Sequence, residues 1–127
     1  MRTYIHKLPH SCLLTLCTSG AGCYPLARAL RRVLRSQPAS VWVDCRQVAA
    51  LPTEALRLLR RCAASLWQRG GYLVLCHLPT DVRAELEADA TQPLAASLLD
   101  AQRYGLDCPN VAHCEVGTMA AKPESAQ

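Results

Sequence analysis

The chain has 127 residues, which fits one domain and excludes two of ordinary size. Half of it is apolar and 19% is charged, which excludes a disordered chain, and a domain near this length buries roughly two-thirds of its unfolded surface, so the core needs no staple. The net charge of +4, carried by Lys7, Lys122 and twelve arginines, is a modest excess spread over several helices, short of the concentrated basic stripe of a nucleic-acid-binding domain.

The first strong element is SCLLTLC, residues 11–17, short, apolar and followed closely by Ser-Gly-Ala-Gly, which predicts a buried strand. A weaker strand, TYIHKL, precedes it and is closed by Pro9. In CYPLARALRRVLRS, Leu26, Leu30, Val33 and Leu34 form one helical face, with Arg28, Arg31, Arg32 and Arg35 on the other. Pro25 suits the first turn, where a helix leaves its N–H groups unpaired anyway. SVWVDC, residues 40–45, predicts a second buried strand. Thr53 is placed to cap a helix from about Glu54 to Arg69, with Ala55, Leu59, Cys62, Ala63 and Leu66 inward and Arg57, Arg60, Arg61 and Gln68 outward.

Gly70-Gly71 ends that helix, as residues that enter φ > 0. YLVLCHL, residues 72–78, predicts a third buried strand. Thr80 and Asp81 open a short helix holding Val82 and Leu86. Pro93 precedes a small strand near LAAS, and SLLDAQRYG predicts a last helix. Strands and helices alternate, and strands apolar along their whole length point to a largely parallel sheet covered by helices. Periodicity ends near Leu106, and AAKPESAQ has the composition of a disordered tail.

Eight cysteines would suggest a disulfide framework in a secreted chain. The start, MRTYIHKLPH, has neither the apolar run nor the small-residue cleavage site of a leader. Cys12, Cys17, Cys45 and Cys76 sit inside apolar runs, where Cys acts as a small core hydrophobe. Free thiols fit a reducing cytosol, so the expected location is cytoplasmic. No apolar run approaches the ~18 residues of a membrane span.

From Ser40 to Gly105 the sequence resembles the STAS domain, shared by bacterial anti-sigma-factor antagonists and the cytoplasmic tails of sulfate transporters. The family pattern is a strand ending in Asp, a short loop, an Asp-Ser-Ser/Thr-Gly turn opening a helix, then a Gly-rich turn and a strand. Here these become SVWVDC, RQVAAL, PTEA, LRLLRRCAASLWQRGG and YLVLCHL. LPTDVRAELE looks like the next loop and helix, and LAASLLDAQ like the closing strand and helix. LLTLCTSGAGCYPLARALRRVL fits the family's second strand and first helix, so the resemblance covers about residues 1–105, with 106–127 an irregular tail. The implied fold is a single α/β domain with a mostly parallel four- to five-stranded sheet covered by about four helices.

The departure from the family lies at its switch turn. Pro52 replaces the family Asp, Thr53 the first Ser, Glu54 the phosphorylated Ser/Thr and Ala55 the Gly. In partner-switching members a kinase that is itself the anti-sigma factor phosphorylates that hydroxyl. The added charge of about −1.5 to −2 releases the partner. Glu54 cannot accept phosphate; it is either a built-in imitation of the phosphorylated state or an ordinary first-turn glutamate near the positive helix end. Thr53 is either a phosphosite displaced by one position or a helix cap.

The resemblance implies a non-enzymatic regulator in bacterial partner switching, with Pro52, Thr53, Glu54, Arg57, Arg60 and Arg61 as the partner-binding surface. The implied partner is a serine/threonine kinase-type anti-sigma factor or a related sensor. The alternative implication is a lipid- or small-molecule-binding accessory domain tied to a transporter.

Enzyme chemistry finds little footing. There is no Gly-rich phosphate loop and no defensible Ser-His-Asp pattern. Asp44, at a strand end, is either a catalytic or ligand group or the acceptor that orders a loop. Cys76 and His77, as strand neighbours, point to opposite faces. No cofactor is expected. For zinc the best candidates are Cys108, His113 and Cys114, which lack the twice-repeated tight knuckle of structural sites; Cys12 and Cys17 fall on opposite faces of one strand.

Overall fold

The computed structural model describes residues 1–18, 22–88, 98–102 and 105–106. The chain opens with β1 (Arg2–Lys7) and β2 (Ser11–Cys17), an antiparallel hairpin in which Ile5 faces Leu14 across the ladder. Pro9 lies in the turn, and the Leu8 N–H donates to the Ser11 carbonyl at 2.8 Å. β1 is the sheet edge, and its exposed Arg2, His6 and Lys7 discourage a further strand from adding there.

Helix α1 (Tyr24–Arg35) buries Leu26, Ala29, Leu30 and Val33, with Pro25 in its first turn as expected. β3 (Ser40–Gln47) pairs in parallel with β2, and β4 (Tyr72–Cys76) pairs in parallel with β3. Between them runs α2 (Thr53–Gln68), which buries Ala55, Leu59, Cys62, Ala63 and Leu66, the inward set that the spacing predicts. These faces meet Leu14, Leu16, Val41, Val43, Cys45, Leu73 and Leu75 of the sheet in the main core. α3 (Thr80–Ala88) adds Val82 to the same core. The other sheet face carries a smaller cluster of Val74, Cys76 and Ala101, packed by Trp42, Leu99 and Leu106.

The sheet closes with β5 (Leu98–Asp100), parallel to β4 in the order β1-β2-β3-β4-β5. This corrects the sequence reading, which placed a helix over SLLDAQRYG and expected about four helices. Three helices are found among the described residues. The free edge of β4 offers backbone partners to Leu98–Asp100, and the Ala101 N–H continues the ladder to the Leu75 carbonyl at 2.8 Å. Those bonds, with the ion pair that Arg83 makes to the Asp100 carboxylate, outweigh a local helical preference worth only tenths of a kcal/mol per residue (roughly 0–0.7). The strand expected near LAAS and the tail after residue 106 lie outside the described residues.

Two glycines end α2 for different reasons. Gly70 takes φ +80, the left-handed conformation expected of it. Gly71 does not; it is needed for space. A Cβ there would lie 2.6 Å from the Ala39 carbonyl oxygen. The Gly71 N–H donates to the Leu66 carbonyl at 2.7 Å, so the backbone has no room to retreat.

Replacing Gly71 by Ala should therefore destabilise the fold by about 1–3 kcal/mol in urea denaturation, the usual range for forced overpacking. Gly22→Ala, where a Cβ would meet nothing within 4 Å and only the positive φ opposes it, should lose no more than about 1 kcal/mol. Equal losses at the two positions would remove the Ala39 contact as the cause.

Candidate functional site

Because β2, β3, β4 and β5 are parallel, their carboxyl ends gather at one edge of the sheet, where open α/β sheets place their sites. The β3–α2 loop at this edge is pinned at both ends. Val48 is buried and its N–H donates to the Cys45 carbonyl at 3.1 Å; Leu51 packs on the main core. The Ala49 N–H donates to the Thr18 hydroxyl at 3.0 Å, and the Cys17 thiol meets the Gln47 side-chain oxygen at 3.0 Å. The exposed residues Pro52, Thr53 and Glu54 are thus presented on an anchored loop.

Pro52 occupies the N-cap position of α2 with φ −59 and ψ 153, and its carbonyl accepts the Leu56 N–H at 3.0 Å. The expected cap at Thr53 is corrected: Thr53 is the first helical residue and no side chain caps the helix. A helical backbone at Thr53 holds its hydroxyl away from the N–H groups a cap would serve. The hydroxyl is left exposed at the positive end of α2, beside Glu54 in the first turn. A carboxylate there contributes about 0.3–1 kcal/mol through the helix dipole.

Glu54, Arg57 and Arg61 are all exposed and recur at helical spacing on the outer face of α2. Arg60, expected outward with them, is half-buried. It lies one turn after the half-buried Leu56, on the flank of the helix, so the structure separates it from the outer set. Positive charge is also more concentrated than its total suggests. Seven of the twelve arginines lie on α1 and α2, whose one acidic residue is Glu54.

Asp44 lies within β3, short of its end, and its carboxylate accepts the N–H of Arg46 in the same strand at 2.9 Å. A contact the sequence reading missed joins Arg46 to His77, with the guanidinium donating to the ring Nε2 at 3.0 Å. His77 sits exposed at φ 55, whereas Cys76 is buried on the sheet, so the two do not form a nucleophile pair. The same edge holds a second missed network. Arg83 donates to both carboxylate oxygens of the buried Asp100, at 2.6 and 3.4 Å, and to the Gln102 side chain at 2.8 Å, tying α3 to the end of β5.

Among the described residues, no group of three or more His, Cys, Asp or Glu is placed to hold a metal ion. Cys108, His113 and Cys114 lie outside those residues. No described helix is long and apolar enough to cross a membrane. Cys12, Cys45, Cys62 and Cys76 are buried free thiols, and Cys17, expected in the core, is half-buried at the loop edge.

The architecture is that of a STAS-like fold. It is similar to the protein TM1081, solved by NMR, at TM-score 0.62 and 12% identity, over 88% of this chain and 86% of that one. It is also similar to RsbS of Moorella thermoacetica carrying a serine-to-glutamate substitution, at TM-score 0.57 and 12% identity, over 97% of this chain and 88% of that one. No family model matches the sequence, and no curated protein does.

Burial pushes the Cys62 thiol up to about 12, against the opposing pull of Arg69. Burial, reinforced by the negative Asp44 and Asp100, pushes Cys45 up to about 12. The stability these protonated thiols contribute is fully present below their ordinary value near 9 and is lost as pH rises from there toward 12, because the unfolded chain releases the protons first. Urea denaturation across this window should show falling stability. The Cys45→Ala/Cys62→Ala variant should show a shallower fall, and an unchanged slope would assign the effect to other groups.

Proposed function

We propose that this chain is a non-enzymatic, protein-binding regulator of the anti-sigma-factor-antagonist kind, acting in the cytoplasm by competition for a partner. The observation that carries this reading is the anchored, exposed turn of Pro52, Thr53 and Glu54 at the start of α2 in a STAS-like sheet. The contact surface continues along α2 through Arg57 and Arg61. Arg60, half-buried, contributes to the helix flank and not to the contact. The functional unit is residues 1–105.

The partner is a serine/threonine kinase-type anti-sigma factor or a related sensor with acidic groups opposite Arg57 and Arg61. Arginine suits that role because its planar fork pairs with carboxylates in two parallel hydrogen bonds. Glu54 keeps a constant negative charge at the helix start, in the place where the resemblance puts a switchable one. Thr53 carries the remaining hydroxyl of the turn. Phosphate on it would more than double the local negative charge.

Affinity capture from lysate of the source organism, read by mass spectrometry, tests this. The parent chain should retain a kinase-type or sigma-linked protein, and Glu54→Arg should weaken that complex by roughly tenfold or more, about 1.4 kcal/mol. Capture that ignores the substitution would remove the turn from the interface. For Thr53, phosphopeptide mapping after incubation with the captured kinase should find the modification, and Thr53→Val should abolish it. A map without phosphate at Thr53 leaves the turn with a fixed charge and no switch.

A further inference from the structure

At the opposite end of the sheet, two clefts of about 620 and 260 Å³ open side by side and share Lys7, Cys12 and Ser36 in their walls. They are framed by the β1–β2 turn, the start of β2, the end of α1 and its connection to β3, and Arg69 just after α2. The frame is held by backbone bonds: the Ala39 N–H donates to the His10 carbonyl at 2.9 Å. Lys7, Arg32, Arg35 and Arg69 line these clefts with His10, and no Asp or Glu does.

Helix ends account for only part of this charge. The carboxyl ends of α1 and α2 each present about half a negative charge, so together they balance roughly one of four permanent cations. Arg69 uses one donor on the Leu34 carbonyl, at the end of α1, at 3.2 Å. The remaining cations repel one another across a concave surface unless an anion joins them. Gln37, in the cleft wall, takes φ 53 as the left-handed residue that ends α1, and its N–H donates to the Leu34 carbonyl at 3.2 Å, which fixes this wall of the cleft.

We propose that this cleft binds a small soluble molecule carrying two or more phosphate groups. The larger cavity falls within the roughly 300–1,000 Å³ of small-molecule sites. Arginine forks suit phosphate oxygens and a lysine adds a point charge that can follow the ligand. The site is separate from the α2 turn, which lies at the other end of the parallel strands, so either can fail without the other.

Inorganic pyrophosphate is the probe, titrated at constant ionic strength and followed by calorimetry and by backbone amide NMR. Saturable binding is expected, with shifts at residues 8–12 and 36–39. Lys7→Gln/Arg35→Gln should weaken it at least fivefold, and Arg57→Gln/Arg61→Gln should leave it unchanged. The proposal is overturned by absence of saturation, by equal binding of sulfate, by equal loss in both variants, or by shifts centred on residues 52–61. Vesicles of phosphatidylcholine with one-third phosphatidylglycerol separate a soluble ligand from a lipid headgroup. The chain should stay in the supernatant; sedimentation that Lys7→Gln/Arg35→Gln abolishes would assign the cleft to a lipid surface and overturn the soluble ligand.

Discussion

The pairing of β3 on both edges is the constraint on which the rest depends. Val41, Val43 and Cys45 have no solvent exposure, and every one of them also lies in a strand flanked by β2 and β4. Parallel neighbours cannot be joined by tight turns, so the chain must cross over twice, and the crossovers are α1 and α2. Both helices bury their apolar faces in the same core, which sets them side by side. The tight approach of Gly71 to Ala39 follows, because each crossover must return the chain to the starting edge of the next strand.

That return divides the molecule into two ends with different chemistry. At the carboxyl end, each loop leaves a buried strand and is tied to its neighbours: Thr18 to Ala49, Arg46 to His77, Arg83 to Asp100. Among the residues exposed there are Pro52, Thr53 and Glu54, which open α2. At the amino end, two helices stop, and of their closing carbonyls that of Leu34 in α1 accepts from Arg69, just after α2, at 3.2 Å. The cations exceed what those carbonyls balance, and the concave wall faces solvent.

The cysteines show how one residue type divides by place. Cys12, Cys45, Cys62 and Cys76 are buried, and the two with the largest displacement, Cys45 and Cys62, behave as apolar filler because burial holds the thiol protonated. Cys17, at a strand end, instead joins the Gln47 side chain. A chain without phenylalanine fills its core with small and branched residues, and several thiols serve among them. The likeness to solved structures at 12% identity fits this: the fold needs apolar residues at the right period more than particular side chains.

The sequence by itself determined the elements whose signal is local. The 3.6 period placed the buried faces of α1 and α2, and the apolar runs placed β2, β3 and β4, although β3 runs on past Asp44 to Gln47. The exposure of Pro52, Thr53 and Glu54 was legible too, since no apolar residue there demands burial. Tertiary structure decided the rest. SLLDAQRYG has a helical pattern, yet Leu98–Asp100 is a strand because β4 offers a free edge. Arg60 sits too near the helix flank for a two-face pattern to place it, and Thr53 lost its cap role when Pro52 took that position. The Arg46–His77 and Arg83–Asp100 contacts span 31 and 17 positions, and the basic cleft gathers residues from Ile5 to Arg69. Periodicity reports which face of an element is wet; it carries no information on which distant side chain will stand opposite, because that depends on the order in which strands pair.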